Sequence, residues 1–316
     1  PIGTSVRRLT PHRWMLGSSK VCERVTTTIP SNAIISWQES DGAFYLRERI
    51  EGDLLFPEDC IETGLVHEGG TSAAVWSIGV DAFCKVKAWC EGMELESKTI
   101  EFVRGPEVPV PEVIHTWIDH SWNRTFLILR RVEGQTLDEA WPRLKSDQRI
   151  EIANKIAAYC CKLASISTSR FETATGCAVV EPFLNDIADA SRPSWIPRPI
   201  GPFSSESFAS HLATVAPGSC LDVGDLFYFY HADLGPTNIM VLESTVVGIL
   251  DWESAAYYPK FWMATKPRLS AGFYLQKDRT DQMAWSNILG DVLEAGGFLQ
   301  NIDGYNNWKR KRRCRE

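Results

Sequence analysis

Apolar and polar positions along the chain fall into two regimes. After the turn signal Gly69-Gly70-Thr71-Ser72, the run Ala73-Ala74-Val75-Trp76-Ser77-Ile78 reads as a strand. Gly79-Val80-Asp81 then predicts a hairpin into Ala82-Phe83-Cys84-Lys85-Val86-Lys87, where the period of two puts Phe83, Lys85 and Lys87 on one face. Residues 91–103 follow a helical pattern that stops at Gly105-Pro106. Pro109-Val110-Pro111 must be extended, because proline fixes its own φ and restricts the residue before it. The apolar run 125–129 suits a buried strand. Beyond it the character changes: Ser146-Asp147 caps a helix in which Ile152, Ile156, Tyr159 and Leu163 recur at helical spacing. Residues 165–225 read as helical pieces broken by Pro193, Pro197, Pro199, Pro202 and Pro217. Residues 1–60 show no clear period and are set down as an N-terminal extension of unclear structure. A strand-rich front and a helix-rich rear predict an α+β chain of two lobes, 1–132 and 133–316.

Composition narrows the class. The 316 residues are 44% hydrophobic and 23% charged, ordinary for a globular protein, and are enough for two moderate cores. A net charge of −7 argues against an overall electrostatic footprint for nucleic acid. The nine cysteines are odd in number and lack zinc-type spacing, so a reduced, cytoplasmic protein is expected. No apolar run is long enough to span a bilayer, and the first twenty residues lack the apolar stretch of a secretory signal. The chain opens on Pro1, not Met, as a processed or shortened N-terminus would. The basic run from Lys309 to Arg315 is expected to be a solvated, mobile end.

Candidate chemistry concentrates in one block. A polar loop with His231, Asp233 and Asn238 leads into an apolar strand over 239–242, a turn at Glu243-Ser244, and a second apolar strand over 246–250 that ends in Asp251. A hairpin brings its two ends together, so Asp233 and Asn238 at the entry lie near Asp251 at the exit. Two carboxylates and an amide then offer oxygen ligation suited to Mg²⁺, with coordination positions left for nucleotide phosphates. The spacing His-x-Asp-x-x-x-x-Asn is also the catalytic-loop signature of protein kinases.

The segment from His231 to Trp262 resembles the aminoglycoside phosphotransferase and choline kinase-like superfamily, through Asp251-Trp252-Glu253-Ser254 and Tyr258-Pro259-Lys260-Phe261-Trp262 in addition to that loop. The likeness extends weakly over about residues 63–270 and is close to fungal members of unassigned substrate. It implies a two-lobed protein-kinase-like fold, with a small N-terminal lobe of antiparallel sheet plus helix and a larger, mainly helical C-terminal lobe. It further implies an enzyme that uses ATP and Mg²⁺ to phosphorylate a small hydroxylated acceptor. Asp233 would be the base, with His231 in the catalytic set as the brace of its loop. Asn238 and Asp251 would ligate the metal. Lys85 would contact the α- and β-phosphates and pair with Glu96, while Gly69, Gly70, Thr71 and Ser72 would cover the phosphates. Residues 129–132, Leu129 and Arg131 among them, would form the adenine-side hinge. The aromatic cluster Trp252, Tyr257, Tyr258, Phe261 and Trp262 is expected as core beneath the hairpin.

Three other readings share these residues. A protein kinase needs a long segment after its metal-binding Asp, yet Asp251 runs within eight residues into Tyr258-Pro259 and leaves 65 residues to the end. A non-catalytic pseudokinase loses ground because Lys85, Glu96, Asp233, Asn238 and Asp251 all keep their chemical types. A kinase fold running non-phosphoryl chemistry is the third, since fold does not fix function. The acceptor has no motif, and antibiotic, choline, sugar, homoserine and secondary metabolite stay open.

Overall fold

The structure, a computed structural model, describes residues 2–53, 64–69, 72–188, 193 and 195–312. The chain divides into two compact units, one of residues 1–91, 112–131 and 193–197, the other of 92–111, 132–192 and 198–316.

The first unit holds two five-stranded antiparallel sheets among the described residues. One contains β1 (Val6–Thr10), β2 (Arg13–Leu16), β3 (Lys20–Val25), β4 (Ile35–Glu39) and β5 (Gly42–Glu48), in the order β1-β2-β3-β5-β4. The other contains β6 (Leu65–Gly69), β7 (Ala73–Ile78), β8 (Ala82–Ala88), β9 (Val113–Asp119) and β10 (Arg124–Arg130), in the order β6-β7-β8-β10-β9. Trp14, Leu16, Cys22, Trp37, Phe44 and Leu46 of the first sheet share a core with Trp76, Ile78, Cys84, Val86, Phe126 and Ile128 of the second. The tip of the β7–β8 hairpin docks on β4, where the Glu39 carboxylate accepts from the backbone N–H groups of Val80 (3.0 Å) and Asp81 (3.1 Å).

Within the N-terminal 60 residues, residues 6–48 therefore supply the five strands of one sheet. Their period is hidden because β5 is buried on both faces from Ala43 to Arg47, which erases the alternation of a half-exposed strand. A charge even lies inside that run. Arg47 is 5% exposed, and its guanidinium donates to both oxygens of Asp53 (2.7 and 3.0 Å) and to Glu23 (2.6 Å). On β8 the expected alternation holds: Ala82, Cys84, Val86 and Ala88 are buried, while Phe83, Lys85 and Lys87 share the other face.

The second unit carries α1 (Glu96–Val103), β11 (Gln135–Thr136), α2 (Leu137–Ala140), α3 (Ser146–Ala164), β12 (Ser167–Thr168), β13 (Arg170–Phe171), β14 (Phe203–Ser204) and α4 (Ser205–Val215). It continues with β15 (Phe227–Tyr230), β16 (Ile239–Leu242), β17 (Thr245–Ile249), β18 (Ala256–Pro259), α5 (Trp262–Leu269), α6 (Ala284–Ala295) and α7 (Ile302–Arg310). Its short sheets are β11-β16-β17, β12-β15-β18 and β13-β14.

α1 starts five residues later than the sequence pattern predicts. Gly92 takes φ +90°, Met93 bridges to Ala178, and the Glu94 carboxylate accepts from Thr99, Thr173 and Thr175, so the leading residues are pinned outside the helix. Among the described residues of 165–225 there is one α-helix, α4; the other regular pieces are the short strands β12, β13 and β14 and the one-turn helix Pro182–Leu184. The basic tail is exposed at Lys309, Arg310 and Lys311, as a solvated end would be, but it begins inside a helix that is anchored before it. Through Arg310 it is helical, with Tyr305 and Trp308 buried, and Arg312 donates to the carbonyls of Pro182 and Asn185. Arg313, Cys314 and Arg315 lie outside the described residues. No helix among the described residues is long and apolar enough to cross a membrane.

Candidate active site

The β16–β17 hairpin organises the site within the second unit. Ile239, Met240 and Val241 are buried, which commits β16 to the interior, and Glu243 at φ +59° makes the turn. Ile239 pairs with Ile249, and the Leu250 N–H donates to the Asn238 carbonyl at 2.8 Å, so entry and exit lie side by side as the sequence implies.

At the entry, β15 delivers His231 into full burial. Its Nδ1 accepts from the Asp233 N–H at 3.1 Å, so Nε2 carries the proton and donates to the Leu250 carbonyl at 2.9 Å. The imidazole also packs edge-on against Trp252 at 4.4 Å. Both nitrogens are thus bonded to backbone, and the ring ties the two ends of the hairpin together. Asn238 donates through Nδ2 to the Asp233 carbonyl (2.9 Å) and to its Oδ2 (3.2 Å), which turns the amide oxygen away from that carboxylate.

At the exit, Asp251 adopts φ +62° and swings the chain out of β17 into the one-turn helix Trp252–Ser254. Trp252 is fully buried and donates through Nε1 to the Ile249 carbonyl at 2.8 Å. Its backbone N–H donates to Glu96 Oε1 on α1 at 3.0 Å. Carboxylate oxygens of Glu96, Asp251 and Glu253 consequently lie within 4.8 Å of one another, each on a half-buried side chain. Such a set of hard oxygen donors suits Mg²⁺. Three carboxylates so close repel one another unless a cation or protons intervene.

Asp233 sits at the edge of this negative field. Burial pushes its carboxyl up to about 6, the Asp251 charge adds to the rise, and Lys266 opposes it. Lys266 is itself buried in an ion pair of 2.5 Å with Glu181, which also accepts from Trp262 Nε1 at 3.3 Å. Trp252, Tyr257, Tyr258 and Trp262 of the aromatic cluster are buried core as expected, while Phe261 is only half-buried.

The remaining predicted residues belong to the first unit. Lys85 lies on β8 between Val75 and Leu127. Leu129 is on β10, next to Phe83 of β8. Arg131 follows β10, and its guanidinium lies 4.1 Å from the Phe83 ring centroid. Gly69 ends β6, and the Ser72 carbonyl accepts from the Ala88 N–H at 2.8 Å. Gly70 and Thr71 lie outside the described residues. Sequence reasoning passed over Glu253, although Asp251-Trp252-Glu253 places two acids two residues apart at a strand end. It also read Glu96 only as a partner for lysine.

A family model described as "Phosphotransferase enzyme family" matches residues 91–260. Comparison with curated proteins finds no match. Among solved structures, aminoglycoside phosphotransferase APH(3'')-Id from Streptomyces rimosus ATCC10970 is 16% identical, covering 78% of this chain and 89% of that one at a TM-score of 0.47. An aminoglycoside-3'-phosphotransferase of type VIII is 18% identical, covering 78% and 92% at a TM-score of 0.46.

Proposed function

Because the chain belongs to the phosphotransferase enzyme family, we propose that it transfers the γ-phosphoryl group of ATP to a hydroxyl of a small molecule, with Mg²⁺ as its metal. The observation that carries this reading is the carboxylate set of Glu96, Asp251 and Glu253, with Asp233 close enough to feel the charge of Asp251. Asp233 accepts the proton of the acceptor hydroxyl as that oxygen bonds to the γ-phosphorus. The bond from the γ-phosphorus to the bridging oxygen breaks, and ADP leaves with the electron pair. Asn238 holds the Asp233 carboxylate in place, and His231 fixes the loop that carries it.

Asp251 and Asn238 are the proposed metal ligands, joined by Glu253 and Glu96, whose donor chemistry fits Mg²⁺. When bound, the ion supplies positive charge against the negative charge that spreads over the phosphate oxygens. Lys85 with Glu96 as its partner, Leu129 and Arg131, and the covering residues Gly69, Gly70, Thr71 and Ser72 are proposed for the nucleotide on the resemblance alone. A cytoplasmic location goes with this reading, since ATP is the donor.

The direct test incubates the protein with γ-labelled ATP, Mg²⁺ and panels of hydroxylated metabolites. Label appearing in a metabolite, and lost with Asp233→Ala, supports the assignment. Turnover of a metabolite without nucleotide contradicts it.

A further inference from the structure

The catalytic loop is held from beneath by a residue that no motif marks. Asp138, 2% exposed in α2, donates its backbone N–H to the Pro236 carbonyl at 3.1 Å. Its Oδ1 accepts from the N–H groups of Gln276 (2.7 Å) and Lys277 (3.3 Å). One residue thereby joins the catalytic loop to the segment 270–277. α2 is itself fixed at its start, where Thr136 and Glu139 form a reciprocal cap and Gln135–Thr136 pair with β16.

The segment 270–277 meets the loop at close range. A Cβ on Gly235 would lie 2.2 Å from the Gly272 carbonyl oxygen, so only glycine permits this approach. A Cβ on Gly272 would lie 3.3 Å from Asp233 Oδ1. Gly272 is exposed, so it flanks Asp233 on a side open to solvent. Trp285 closes another side, its Nε1 donating to the Leu234 carbonyl at 2.9 Å.

We infer that Asp138 is a positioning residue, clamping the segment 270–277 against the catalytic loop so that Gly272 forms a fixed wall beside the Asp233 carboxylate. The inference rests on the phosphotransferase reading, because it assigns the clamp to the residue that reading makes the base. A buried carboxylate is costly to desolvate, and here it is bonded to two backbone N–H groups of one segment, as a clamp requires.

The test measures Mg-ATP hydrolysis with water as the acceptor, giving kcat and the KM for ATP. Asp138→Ala is expected to lower kcat about 10–100-fold with KM within about twofold, since misplacing a catalytic group by an ångström has effects of that size. Asp138→Asn keeps an oxygen that accepts both N–H bonds, and its kcat should return to within about threefold of the wild type. Gly272→Ala, at an exposed site that spares folding, should lower kcat as well, by crowding Asp233. An unchanged kcat in Asp138→Ala or Gly272→Ala overturns the inference, as does an Asn variant as slow as the Ala variant. Wild-type protein without metal-dependent hydrolysis overturns the phosphotransferase reading, and the inference with it.

Discussion

Glu96 Oε1 accepts a hydrogen bond of 3.0 Å from the backbone N–H of Trp252, tying α1 to the turn that carries Asp251 and Glu253. The contact joins residues 156 positions apart, and it places the third carboxylate of the acidic set. α1 is further held by ring contacts of Phe102 with Phe229 (4.8 Å) and Tyr257 (6.4 Å). The helix is thus a fixed part of the unit that bears the loop 231–238.

Glu96→Gln keeps an acceptor for the Trp252 N–H but removes a charge. It should weaken Mn²⁺ or Mg²⁺ binding about tenfold or more, measured by calorimetry, with little change in melting temperature. Glu96→Ala removes both and should lower metal affinity and melting temperature together.

Activity should rise with pH through about 6, because Asp233 acts as a base only when deprotonated and its carboxyl is raised to that region by burial and by Asp251. Asp251→Asn removes the like charge, so whatever rate it retains should show an acid limb at lower pH. A pH–rate profile of both proteins checks the direction.

Asp233→Ala and Asp251→Ala should fold normally and lose turnover. General-base assistance is worth about 10²–10⁴-fold, and loss of a metal ligand should be at least as damaging. Circular dichroism beside single-turnover kinetics separates folding from chemistry, and a variant with near-normal rate would remove that residue from the mechanism.

Lys266→Met leaves Glu181 as a fully buried, unneutralised carboxylate and should destabilise the protein by about 3–5 kcal/mol in urea denaturation. Replacing Glu181 as well, as in Lys266→Met with Glu181→Gln, should recover part of that loss. Equal stability of the single variant and the wild type would contradict the pairing.

The hairpin that brings His231, Asp233, Asn238 and Asp251 together was legible in the sequence because it is local and its strands have unambiguous apolar runs. The alternation on β8 was legible for the same reason. Asp138 was not, since its partners lie 138 and 139 residues away and no spacing rule links them. Glu181 and Lys266 are 85 residues apart and escaped likewise. The N-terminal sheet was missed for a different reason. Burial on both faces of β5, with Arg47 neutralised inside, removes the period-two signal on which a strand is recognised.

The central claim is that the acidic set around Asp251 binds metal–nucleotide, and a thermal shift with ATP tests it most directly. The account predicts a rise of about 2 °C or more that requires Mg²⁺ and disappears in Asp251→Ala. No shift at millimolar ATP or GTP with Mg²⁺ present, or an equal shift in Asp251→Ala, would contradict it.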